Sequence, residues 1–114
     1  MREDKVYLHH ILDAIRKIEE YTSGMEQDAF YVGSMIQDSV IRQIEIIGEA
    51  TKRLSFETRA LNPGIPWQDI AGMRDKLIHN YFGVDIEEVW LTVQNDIPIL
   101  KKEIKLILNE MNKI

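Results

Sequence analysis

SMIQDSVIRQIEIIGEATKRL, residues 34–54, is the stretch whose reading decides the fold. Ile36, Val40, Ile44 and Ile47 recur at helical spacing and form one apolar stripe, which Ile41 and Gly48 widen. Arg42, Glu45, Glu49, Lys52 and Arg53 take the polar positions of the same helix. Gly48 costs about 1 kcal/mol against alanine inside a helix, so its presence predicts a second helix lying close to it.

The same period extends in both directions. From Asp4 to Thr22, Leu8, Ile11, Ile15 and Ile18 mark a first helix that should stop at Ser23-Gly24, where glycine can adopt the left-handed cap conformation. Residues 26–33 predict a short helical turn. Ser55 can cap another turn through Arg59, and Asn62-Pro63-Gly64 breaks the chain. Pro66 suits the first turn of a third helix, whose stripe is Trp67, Ile70, Leu77 and Ile78 and which should fray near residues 80–83. Asp85 and Glu88 read as a capping box for a fourth helix running to about Asn112. Pro98 lies inside that pattern and cannot donate to the carbonyl of Gln94, which predicts a local kink. The expectation is all-α: an antiparallel four-helix bundle with extra short helical turns, forming one domain over residues 1–114.

Composition narrows the function. Hydrophobic residues make up 45% and charged residues 29%, the balance of a soluble globular domain. The absence of cysteine excludes disulfides and thiolate chemistry and fits a reducing compartment. Residues 1–5 lack the apolar core of a signal peptide, and no apolar run is long enough to span a bilayer, so a cytoplasmic location without membrane attachment is expected. The formal charge of −5 argues against a general nucleic-acid binder. Any RNA contact should be local, in a cleft lined by Arg74 and some of the C-terminal lysines Lys101, Lys102, Lys105 and Lys113.

The chemistry concentrates in Arg74-Asp-Lys-Leu-Ile-His79-Asn-Tyr81-Phe-Gly83. A guanidinium offers a permanent cation for phosphate, an imidazole moves protons near neutrality, and a phenol can donate a hydrogen bond or be modified. Arg74 interrupts the apolar stripe of Ile70, Ala71, Leu77 and Ile78, where a charge is costly unless paired or used. Its structural alternative is an interhelical salt bridge to Glu45 or Glu49. Asp75 is a surface charge or an orienting partner; His79 alone suits a helix end, and Tyr81 alone suits packing. On a straight helix His79 would lie about 140° from Arg74, so either the helix distorts near Asn80–Gly83 or a second subunit completes the site. No His-Glu-x-x-His spacing, phosphate-binding glycine loop or Gly-x-Ser-x-Gly elbow is present, which favours a metal-free, cofactor-free site or no enzyme at all.

With these residues in order, the chain resembles the HepT-like toxins of the HEPN superfamily. Arg74-x4-His79-x-Tyr81 matches their Arg-x4-to-6-His-x-Tyr motif. The flanks agree over nearly the whole chain: residues 40–50, Pro66-Trp67, Ile70-Ala-Gly-Met-Arg74 and Tyr81-Phe-Gly-Val-Asp85-x-x-x-Val89-Trp90. Position 80 is Asn, where a small glycine is common in the family.

The resemblance implies a homodimeric HEPN-like bundle with the motif near the dimer cleft. It also implies a toxin–antitoxin pair whose antitoxin is a minimal nucleotidyltransferase of the MntA type. Similar members are metal-independent RNA endonucleases; others are regarded as non-catalytic binding or regulatory subunits of that nucleotidyltransferase. Carried onto this chain, Arg74 and His79 are the expected catalytic residues and Tyr81 the acceptor of AMP; beside them, Asp75 or Asn80 is a candidate to orient the reacting groups.

Overall fold

The computed structural model of the chain describes residues 2–77 and 83–113. Among these the architecture is all-α, and three long helices carry it: α1 (Arg2–Thr22), α3 (Ser34–Lys52) and α8 (Ile97–Met111). Shorter helices fill the connections: α2 (Gln27–Val32), α4 (Phe56–Leu61), α5 (Trp67–Ala71), α6 (Met73–Leu77) and α7 (Ile86–Leu91). No described helix is long and apolar enough to cross a membrane.

The stripes read from the sequence are the core. Leu8, Ile11, Ile15 and Ile18 of α1 meet Val40, Ile44 and Ile47 of α3, and all are buried. α8 adds Ile97, Leu100, Ile104 and Ile107. Two side-chain links fix the directions. Near the start of α8, Lys101 Nζ pairs with Glu19 Oε1 near the end of α1 at 3.0 Å, so these helices run antiparallel. Ser55, just past the end of α3, donates its backbone N–H to Asp4 Oδ1 at the start of α1 at 2.9 Å, which makes α1 and α3 antiparallel as well.

That second junction is a buried polar knot. Asp4 is only 3% exposed, and its Oδ2 accepts from Ser55 Oγ and Thr58 Oγ1 at 2.6 Å each. Burial pushes the carboxyl up, but the hydrogen bonds from Ser55 and Thr58 outweigh it and hold Asp4 below its ordinary value. Ser55 Oγ also accepts from Thr58 N at 3.1 Å, so the expected cap of α4 is present.

The ends of the elements follow local chemistry. α1 stops before Gly24, which has a φ of 70°. Gln37 Nε2 donates to the carbonyls of Phe30 and Tyr31 at 2.8 and 3.0 Å, tying α2 to the start of α3. Phe30 packs on Trp90 of α7 with ring centres 5.2 Å apart.

Two expected helices are divided. The third breaks at Gly72, whose N–H bonds the carbonyls of Gln68 and Ile70, giving α5 and α6 in place of one helix. The fourth is interrupted by a π-helical turn over Thr92–Asp96, immediately before Pro98 in the first turn of α8. Pro98 has no N–H for the carbonyl of Gln94, so the expected disturbance takes the form of a widened turn. The capping box at Asp85 is half formed: Asp85 Oδ1 accepts from Glu88 N at 3.2 Å, while Asp85 N donates to the carbonyl of Leu77 at 2.9 Å. Fraying was expected near residues 80–83, of which 80–82 lie outside the described residues.

Candidate active site

Arg74 is placed by three helices. Met73 and Leu77 of α6 both turn into the core, one turn apart. Arg74, the next position round, is thereby directed to the groove beside α3. Gly48 allows α3 to approach: a Cβ there would sit 3.1 Å from the carbonyl oxygen of Ala71, at the end of α5. The close contact expected from that glycine is therefore present.

The arginine is not a buried charge. Its side chain is 47% exposed, so the expectation of a cation forced onto a burying face is corrected. The break at Gly72 and the burial of Met73 leave Arg74 at the groove surface. Of the two acceptors considered from the sequence, Glu45 is the partner, with Arg74 Nε donating to Glu45 Oε2 at 3.1 Å. Arg74 NH1 also donates to Asp75 Oδ1 at 3.3 Å. The Glu45 hydrogen bond, and after it the Asp75 bond, raises Arg74 above its ordinary value, so it stays charged. A guanidinium has five N–H donors, and among the described residues two of them are bonded, one to Glu45 and one to Asp75. The two carboxylates fix the plane of the group and, among the described residues, leave its remaining donors for an anion.

The surrounding groove measures about 500 Å³ and lies between α1, α3 and the α5–α6 pair. Its cations are Arg42, Lys52, Arg53 and Arg74, its carboxylates are Glu45, Glu49 and Asp75, and Tyr7 and His10 come from α1. The expectation that C-terminal lysines would line Arg74's cleft is corrected. None of them borders this groove, because α8 packs on the other side of α1 and Lys101 is held by Glu19. The α3 residues of the groove were visible in the sequence only as a polar stripe at 42, 45, 49, 52 and 53, with nothing to say which helix faced it. His10 and Tyr7 were not connected with the site at all.

His79, Asn80 and Tyr81 lie outside the described residues, so only Arg74 and Asp75 of the motif are placed. The backbone hydrogen bond between Leu77 and Asp85 joins described residues on either side of that segment. Among the described residues no three His, Asp or Glu side chains gather as metal ligands.

With this geometry in view, comparison with known proteins is direct. The profile of the family described as Ribonuclease HepT-like matches residues 11–107. The chain belongs to the HepT-like family. It is 49% identical to a Thermococcus cleftensis protein named "Probable ribonuclease HepT", over 88% of this chain and 91% of that one. It is 42% identical to a "Putative RNase" of Methanocaldococcus jannaschii, over 96% of this chain and 91% of the relative. A further M. jannaschii protein, named "Gamma-glutamylcyclotransferase and putative RNase", is 52% identical over 99% of this chain, which spans only 51% of that relative's length. No solved structure matches.

Proposed function

We propose that this HepT-like chain is a metal-independent endoribonuclease and the toxin half of a toxin–antitoxin pair. The observation that carries the reading is Arg74: charged, oriented by Glu45 and Asp75, and half-exposed in an open groove, with donors unbonded among the described residues. The ribonuclease names of relatives that align over most of their length support it.

In this reading Arg74 binds the scissile phosphate and stabilises the charge that builds up on its oxygens. His79 takes the proton of the 2′-hydroxyl as the O2′–P bond forms. The P–O5′ bond breaks, and the departing 5′-oxygen receives a proton from an imidazolium. The products are a 2′,3′-cyclic phosphate and a 5′-hydroxyl. Asp75 orients Arg74, and Asn80 orients the imidazole. A homodimer through the α5–α6 surface supplies the second histidine for the acid step.

Control falls on Tyr81. A minimal nucleotidyltransferase joins the phenol oxygen to the α-phosphorus of ATP, with release of pyrophosphate and the phenolic proton. The attached AMP adds an anion two positions from His79, where it competes with RNA for Arg74.

The test is cleavage of end-labelled RNA by purified protein in EDTA, alongside His79→Ala and Arg74→Ala, with product ends mapped. Full activity in His79→Ala overturns the mechanism. The acidic net charge favours a second reading, a non-catalytic regulatory subunit of the nucleotidyltransferase. Failure of the wild-type homodimer to cut any RNA, together with AMP transfer to Tyr81, selects it.

A further inference from the structure

The ionic pairing inside the groove is uneven. Glu45 and Asp75 are both bonded to Arg74, and Glu49 lies 3.5 Å from Lys52. Each carboxylate of the groove therefore has a cation beside it. Arg42 and Arg53, both exposed, have no ion pair among the described residues. They stand eleven positions apart on α3 and its C-cap, about 16 Å along the axis, with the Arg74–Glu45 pair between them. The groove of an acidic chain thus carries, on either side of Arg74, a guanidinium group with no ion pair among the described residues.

The opposite wall is aromatic. His10 is exposed, and half-buried Tyr7 sets its ring edge-on against it, with centres 5.8 Å apart and planes at 85°. Tyr7 packs against the core, and both rings line the groove. Unpaired cations along a groove with an aromatic face on its wall are the two elements that hold single strands: phosphates follow the charge, and bases stack.

We infer that this groove is a track for single-stranded RNA, with Arg42 and Arg53 gripping phosphates on either side of the one at Arg74 and His10 stacking a base. The inference rests on RNA being the ligand of Arg74 and adds how the strand is held. Duplex RNA is disfavoured, because a paired base cannot leave its stack to meet His10.

The test uses a fluorescent 2′-O-methyl oligoribonucleotide of mixed sequence, which lacks the nucleophile and cannot be cleaved, with affinity read by anisotropy at several salt concentrations. Arg42→Gln and Arg53→Gln are each expected to weaken binding about tenfold and to flatten the salt slope by about 0.7. Lys105→Gln, an equal charge change on the exposed face of α8, is expected to leave both unchanged. His10→Ala is expected to weaken binding about tenfold, and His10→Phe to restore it. Wild-type melting temperatures in all variants exclude unfolding as the cause. Unchanged affinity in both arginine variants, an equal loss in Lys105→Gln, or no binding by the wild type overturns the track. Tight, arginine-dependent binding of this oligonucleotide without cleavage of ordinary RNA refutes the ribonuclease reading and leaves the track standing.

Discussion

Glu45 of α3 accepts a hydrogen bond from Arg74 of α6 across 29 positions of sequence, Oε2 to Nε at 3.1 Å. The pair is partly exposed, at 33% and 47%, so it contributes little to stability, and its weight lies in orientation. Holding Nε toward α3 fixes where the other guanidinium donors point. Glu45→Gln keeps an acceptor of the same shape but removes the charge. It is expected to reduce RNA cleavage about tenfold, whereas Arg74→Ala reduces it about 10² to 10³-fold. Neither should measurably change unfolding stability, because the pair is partly solvent-exposed. A Glu45→Gln enzyme as active as wild type removes the orienting role.

Metal independence is checked directly. Cleavage is expected to survive EDTA, to yield 2′,3′-cyclic phosphate ends, and to spare DNA of the same sequence, which has no 2′-hydroxyl. Restoration of EDTA-quenched activity by a divalent cation contradicts the mechanism.

The Asp4 knot predicts acid sensitivity. Its carboxyl lies below its ordinary value in the folded state, so the charged form is the one that folding favours. Its contribution is fully present above the unfolded value of 3.8 and is lost as pH falls through the lower folded value. Asp4→Ala strands the donors of Ser55 and Thr58 and is expected to cost about 2 to 4 kcal/mol near neutrality. Denaturant melts at pH 7 and pH 3 check both points. The variant should lose less stability than wild type between those two pH values, and an equal loss counts against the account.

Gly48→Ala tests the helix contact beneath the groove. Alanine gains about 1 kcal/mol of helix propensity, but its Cβ meets the Ala71 carbonyl at 3.1 Å, and backbone yields less than a side chain. A net loss of about 1 kcal/mol is expected, lowering the melting temperature by about 4 °C. Because Ala71 lies three residues before Arg74, cleavage should fall too. A raised melting temperature with unchanged activity shows that α5 shifts freely.

Much of this protein was legible in its sequence because local periodicity encodes burial. The stripes of residues 8–18, 36–47 and 97–107 are those that pack, Ser55 caps its helix, and Gly48 marks a close approach. The membership that Arg74, His79 and Tyr81 announce is also a sequence property, since the motif and its flanks are linear. Breaks inside helices were less visible. Gly72 and the Thr92–Asp96 turn depend on competition among alternative backbone hydrogen bonds, which residue spacing does not resolve. Tertiary structure alone decided which charges meet. Glu45 and Glu49 are one turn apart on α3 and equally plausible partners in sequence, yet the angle of α6 against α3 brings Arg74 to Glu45 and leaves Glu49 beside Lys52. The same packing set His10 and Tyr7 opposite Arg42 and Arg53 and sent the C-terminal lysines elsewhere. A sequence fixes which face of each helix is apolar through interactions a few residues long. Which polar faces come to share a groove depends on contacts between residues far apart in the sequence, such as Glu45 with Arg74, and only the packed chain contains them.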